Sequence, residues 1–110
     1  MTLNRYNPKR DRNEQDIIDC LKANDVVAVQ LSGSGIPDLL CSDDGRLFLI
    51  EVKMLGKQMT KAQIDWWIAH VETGAFPAYI CKNGADVADA INQAREHYSK
   101  LERTANSTTG

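Results

Sequence analysis

The stretch Leu47-Phe48-Leu49-Ile50-Glu51-Val52-Lys53 is almost continuously apolar until it ends in two ionisable residues. An apolar run of this length marks a strand buried on both faces. Side chains alternate along a strand, so Leu47, Leu49, Glu51 and Lys53 point one way, with Glu51 and Lys53 about 7 Å apart at Cα. Burying ionisable groups without partners is costly. Two compensations are open: an ion pair between Glu51 and Lys53 at the strand's exposed end, or a bound cation facing the carboxylate.

Upstream, Asp43-Asp44-Gly45 reads as a tight hairpin turn that pairs this strand with the short apolar stretch Asp38 to Cys41, opened by Pro37. Before the flexible Ser32-Gly33-Ser34-Gly35 loop, Val27, Val29 and Leu31 alternate as in a strand. Ile17, Ile18 and Leu21 share a helical face, and that helix is expected to end near Ala23. Downstream, Gly56 breaks the chain, and Thr60 and Gln63 have capping-box spacing. Ile64, Trp67, Ile68 and Val71 then form an expected core stripe, with Trp66 off it and half-exposed. Pro77 opens a strand from Ala78 to Cys81, and Val87, Ala90, Ile91, Ala94 and Tyr98 give a last amphipathic helix. The expected fold is α/β, in the order α-β-β-β-α-β-α, with a mixed central sheet made of a hairpin followed by a helical crossover.

A chain of 110 residues has room for one core. The expected division is a basic N-terminal segment over 1–12, one domain over 13–99 and a disordered tail over 100–110. With 43% apolar and 25% charged residues, the composition excludes disordered and fibrous classes. No apolar run approaches the roughly 20 residues of a membrane span, and the polar, basic start is no secretion signal. Cys20, Cys41 and Cys81 are far apart and lack Cys-x-x-Cys spacing, which argues against a disulfide framework or a zinc site and fits a reducing cytoplasm.

The net charge of −2 means that a nucleic-acid partner would be met through local patches. Arg5, Lys9, Arg10 and Arg12 crowd the first twelve residues against the single acid Asp11, and Lys53, Lys57 and Lys61 follow one another with no acid between them. Arg10, Arg12, Lys57 and Lys61 are the candidate DNA contacts; a merely solvated surface is the alternative.

Asp38 lies on the strand that pairs through this turn, and hairpin geometry can bring it close to Glu51, although sequence does not fix the register. Two carboxylates and the backbone carbonyl of Val52 would make a hard, all-oxygen site suited to Mg²⁺, with Mn²⁺ as a substitute. Lys53 beside it would orient and help deprotonate an attacking water and stabilise transition-state charge. Glu14 begins the buried stripe of the first helix and is either a further metal ligand or an acid favoured by the helix dipole. Gln63 is either a helix cap or a site residue. His70 and His97 have no partner at metal-ligand spacing.

Gly35-Ile36-Pro37-Asp38-Leu39-Leu40, Gly45-Arg46, Ile50-Glu51-Val52-Lys53, Gly56-Lys57 and Gln63 with Trp67 together resemble the PD-(D/E)xK nuclease superfamily. They look most like the stand-alone VRR-NUC domains found in phages and in structure-specific nucleases. The resemblance covers roughly residues 11–92 and implies a restriction-endonuclease-like core that hydrolyses phosphodiester bonds in DNA. It implies Asp38 and Glu51 as metal ligands with the Val52 carbonyl, Lys53 as the catalytic lysine, Glu14 as the acid of the first helix, and Gln63 as a site glutamine. It also implies a homodimer acting on branched DNA in the manner of a Holliday junction resolvase. Two other readings are a DNA-binding module that keeps the fold without turnover, and a structural subunit whose charged strand end is only an ion pair.

Overall fold

The computed structural model describes residues 12–74 and 76–109, with side chains as far as residue 105; Arg5, Lys9, Arg10 and Asp11 of the basic N-terminal patch lie outside the described residues. The elements follow the expected order: α1 (Glu14–Ala23), β1 (Val27–Gln30), β2 (Leu39–Asp43), β3 (Arg46–Val52), α2 (Lys61–His70), β4 (Ala78–Cys81) and α3 (Gly84–Thr109). The sheet order is β1-β2-β3-β4. Its first three strands are an antiparallel meander, and β4 runs parallel to β3 after the α2 crossover. Asp43 pairs with Arg46 across the two-residue turn Asp44-Gly45, whose residues are both left-handed, as a tight hairpin requires.

One sheet face carries Leu39, Cys41, Phe48, Ile50, Val52 and Cys81, and the buried sides of α1 (Ile17, Leu21) and α3 (Val87, Ala90, Ile91, Ala94) close over it. This layer is the hydrophobic core. The opposite face departs from expectation. Leu49 is buried there, but Leu47 is 47% exposed, so β3 is enclosed on both faces only toward its C-terminal end. The expected α2 core stripe is largely open: Ile64 is 44% and Ile68 51% exposed, and no residue of α2 is fully buried. The reason is placement: α2 packs closely along none of the strands, so its apolar side is not laid on the sheet. Trp66 is half-buried and packs instead on His70 and Phe76, with ring centroids 4.7 and 6.4 Å away.

α3 continues to Thr109, past residue 99 where the folded domain is expected to end. From Arg95 to Glu102 it is tied to the hairpin. Arg95 donates to Asp43 at 2.8 Å, the Tyr98 hydroxyl donates to the Leu47 carbonyl at 2.6 Å, and Arg46 pairs with Glu102. These contacts, with helix-forming residues such as Lys100, Leu101, Glu102 and Arg103, carry the helix on. No helix among the described residues is long and apolar enough to cross a membrane.

Candidate active site

The chemistry-bearing residues gather where β3 leaves the core. Glu51 is 2% and Lys53 9% exposed, so both charged groups are held out of water. Lys53 Nζ lies 3.7 Å from Glu51 Oε2. That separation is long for a direct hydrogen bond, and Gln63 occupies the gap in bonding. Its Oε1 accepts from Lys53 Nζ at 2.6 Å, and its Nε2 donates to Glu51 Oε2 at 3.1 Å. The same Oε1 accepts from the Thr60 N–H at 2.9 Å, while Thr60 Oγ1 accepts from the Gln63 N–H at 3.2 Å. Gln63 is thus both cap and site residue: one amide closes the α2 capping box and bridges the strand-end carboxylate and ammonium. Lys53 Nζ also reaches the Gln58 carbonyl at 3.4 Å.

Asp38 stands one step beyond the Leu39–Ile50 register pair, which sets it opposite Glu51. Its main chain is tied on both sides: the N–H donates to the Ile50 carbonyl at 3.1 Å, and the carbonyl accepts from Leu31 at 2.8 Å. The carboxylate Oδ2 accepts from the Val52 N–H at 2.8 Å. Asp38 therefore grips β3 on either side of Glu51. In an extended strand, a residue's N–H and C=O point to the same side, so the Val52 carbonyl faces the Asp38 side. Lys53, one residue on, pairs the other way, donating to the Cys81 carbonyl at 3.0 Å. Asp38 and Glu51 thus stand cross-strand from one another, with the Asp38 carboxylate against the Val52 main chain; two carboxylates and a carbonyl are the donor types a hard divalent cation takes.

Glu14 is buried at 3% exposure, and its Oε2 accepts from Gln30 Nε2 at 2.6 Å. Among the described residues, no group of three or more His, Cys, Asp or Glu is close enough to hold a metal, so Glu14 does not form a three-acid cluster with Asp38 and Glu51. Of the candidate DNA contacts, Arg12, Lys57 and Lys61 are exposed, with Lys61 pairing Asp65 at 2.8 Å; Arg10 lies outside the described residues.

No family model matches the chain, and no curated protein matches it. A solved structure described as a VRR_NUC domain superposes with a TM-score of 0.62 over 74% of this chain and 91% of its own length, at 22% sequence identity. The chain has the VRR-NUC fold.

Two residues that position parts of this site on the VRR-NUC fold escape a reading of the sequence. Asn13, at the N-cap of α1, makes no side-chain capping bond. Its Nδ2 donates instead to the Lys53 carbonyl at 3.0 Å and the Lys82 carbonyl at 2.8 Å, pinning the start of α1 to the ends of β3 and β4. An asparagine before a helix is ordinarily read as a cap, which hides this role. Gln30, which holds Glu14, has the core-facing parity of Ala28; a polar residue at that position of β1 was the available signal.

Proposed function

We propose that the chain is a Mg²⁺-dependent DNA endonuclease. The observation that carries this reading is the buried Glu51–Gln63–Lys53 bonding group at the end of β3, with the Asp38 carboxylate seated on the adjoining Val52 main chain. A buried ion pair alone would call for neither a bridging amide nor a second carboxylate on the same strand end. The residues present fit a hard cation: Asp38, Glu51 and the Val52 carbonyl would hold Mg²⁺, or Mn²⁺ in its place, with waters completing the shell. When bound, the ion supplies charge neutralisation at the phosphate and a lowered pKa for its water.

The chain's own residues do the rest. Lys53, its ammonium fixed by Gln63 and the Gln58 carbonyl, orients the attacking water and faces the negative charge that builds on the phosphate. Gln63 keeps Lys53 and Glu51 in register without neutralising either. Glu14, its carboxylate oriented by Gln30, would act on this site only through α1, since it forms no three-acid cluster with Asp38 and Glu51. Arg12, Lys57 and Lys61, with Arg10, would meet DNA phosphates.

We further propose a homodimer and structure-specific cutting of branched DNA, in the manner of a Holliday junction resolvase. One chain carries one site, so paired cuts most simply need a two-fold dimer, and Ile64 and Ile68 of α2 offer it an uncovered apolar face. The test is side-by-side cleavage of four-way junction, flap and linear DNA with Mg²⁺, using wild type and Lys53→Ala, with sedimentation to give the mass. Cleavage that prefers the junction and vanishes in Lys53→Ala supports the reading. DNA binding with no cleavage by either protein replaces it with a non-catalytic module.

A further inference from the structure

Leu55 is the most exposed large apolar side chain among the described residues, at 89%. A lone exposed leucine is ordinary on a protein surface; its setting makes this one unusual. It lies two residues beyond Lys53, hence within about 7 Å of it along the backbone. The tip that carries it is a closed β-turn: the Lys57 N–H donates to the Met54 carbonyl at 3.0 Å, and Gly56 takes the third position with φ +83°, as a type II turn requires. The far end of the loop returns to the site, because the Gln58 carbonyl accepts from Lys53 Nζ. The leucine is therefore presented on a braced tip beside the lysine.

The surrounding chemistry selects a partner. From Val52 to Ile64 the chain holds Lys53, Lys57 and Lys61 and no acid, interleaved with Met54, Leu55 and Met59. Lys57, exposed on the same turn, sets a cation beside the apolar tip, with Lys61 beyond it paired to Asp65; this suits a polyanion with a stacked apolar interior, namely nucleic acid, in which leucine and similar side chains wedge between base steps. We infer that Leu55 is a DNA wedge, inserting between bases next to the scissile phosphate and making cleavage depend on how easily that step unstacks. This inference rests on the nuclease reading and adds a specificity determinant to it.

The test places 2-aminopurine at each step around the cut site and measures its fluorescence with full-length Lys53→Ala protein, which holds DNA uncut. A several-fold rise at one step, lost in Lys53→Ala/Leu55→Ser and kept in Lys53→Ala/Leu55→Met, is the expected result. In the active chain, Leu55→Ser should lower kcat/KM about tenfold or more on intact duplex and far less on DNA already unstacked by a two-base bulge at that step. Equal losses on both substrates, or a fluorescence rise that survives Leu55→Ser, overturns the wedge. So does a Leu55-dependent affinity for anionic vesicles without any base unstacking. The two readings fail separately: cleavage without unstacking removes the wedge alone, whereas Leu55-dependent unstacking by a wild type that never cuts keeps the wedge and removes the nuclease.

Discussion

Replacing Gln63 separates its two roles. Gln63→Ala removes the acceptor shared by Thr60 N–H and Lys53 Nζ and the donor to Glu51. The cap is worth about 1 kcal/mol, and a hydrogen bond to a charged group about 1.5–3 kcal/mol. Lys53 and Glu51 are both buried, so little solvent screening reduces the second figure. The expected loss is about 2–4 kcal/mol of unfolding free energy, read by urea denaturation. With the ammonium no longer held, kcat should also fall by about 100-fold. Two companions decide the cause. Thr60→Ala removes only the hydroxyl that accepts from Gln63 N–H, costing about 1 kcal/mol while leaving kcat nearly unchanged. Gln63→Glu keeps an acceptor for Thr60 and Lys53 but sets a carboxylate oxygen where an amide nitrogen now lies 3.1 Å from Glu51 Oε2. Like charges at that range cannot both stay ionised and in place, so kcat should fall although the cap survives. Wild-type turnover in Gln63→Glu, or the same kinetic loss in Thr60→Ala as in Gln63→Ala, would refute the bridging role.

Gly35→Ala should destabilise by about 1–3 kcal/mol in a urea melt, because the residue is left-handed at φ +81° and its new Cβ would meet the Ala62 carbonyl oxygen of α2 at 2.6 Å. Asn13→Ala should cost about 1–3 kcal/mol and lower kcat, since it frees the Lys53 and Lys82 carbonyls from α1; Asn13→Asp, which cannot donate to them when ionised, should do the same. Burial pushes the thiols of Cys41 and Cys81 up to about 12, with lesser contributions from Cys81 on the first and from Asp86 and Asp89 on the second. At pH 8 both should resist alkylation until the chain unfolds, as mass spectrometry of iodoacetamide adducts would show. Because their folded values are raised, the stabilisation is complete below the ordinary value of 9.0 and is lost as pH climbs toward 12, at about 1.4 kcal/mol per pH unit for each thiol.

The hairpin and the strand-end site were legible because they break a pattern. Glu51 and Lys53 stand out in an apolar strand, and Asp44-Gly45 marks the hairpin, while the register that sets Asp38 opposite Glu51 comes from the structure. Periodicity did less for α2. It identifies an apolar face through Ile64 and Ile68 but cannot say whether anything covers that face, which depends on how the crossover helix is set against the sheet. Likewise, Asn13 acquires its role only once β3 and β4 end side by side, a property of the assembled sheet. Gln63 looked like a choice between cap and site because its spacing serves both; only the geometry shows one oxygen accepting from Thr60 and Lys53 together. The extension of α3 beyond residue 99 meets a distant anchor, Arg46 pairing with Glu102, that its local composition does not announce.

Whether the proposed Asp38–Glu51 pair holds one divalent cation is decided by calorimetric titration of the full chain with Mn²⁺. The expected result is saturable binding to wild type that is lost in both Asp38→Asn and Glu51→Gln while their circular dichroism stays that of wild type. Binding undiminished by either substitution, or no binding to the wild-type chain, would contradict it.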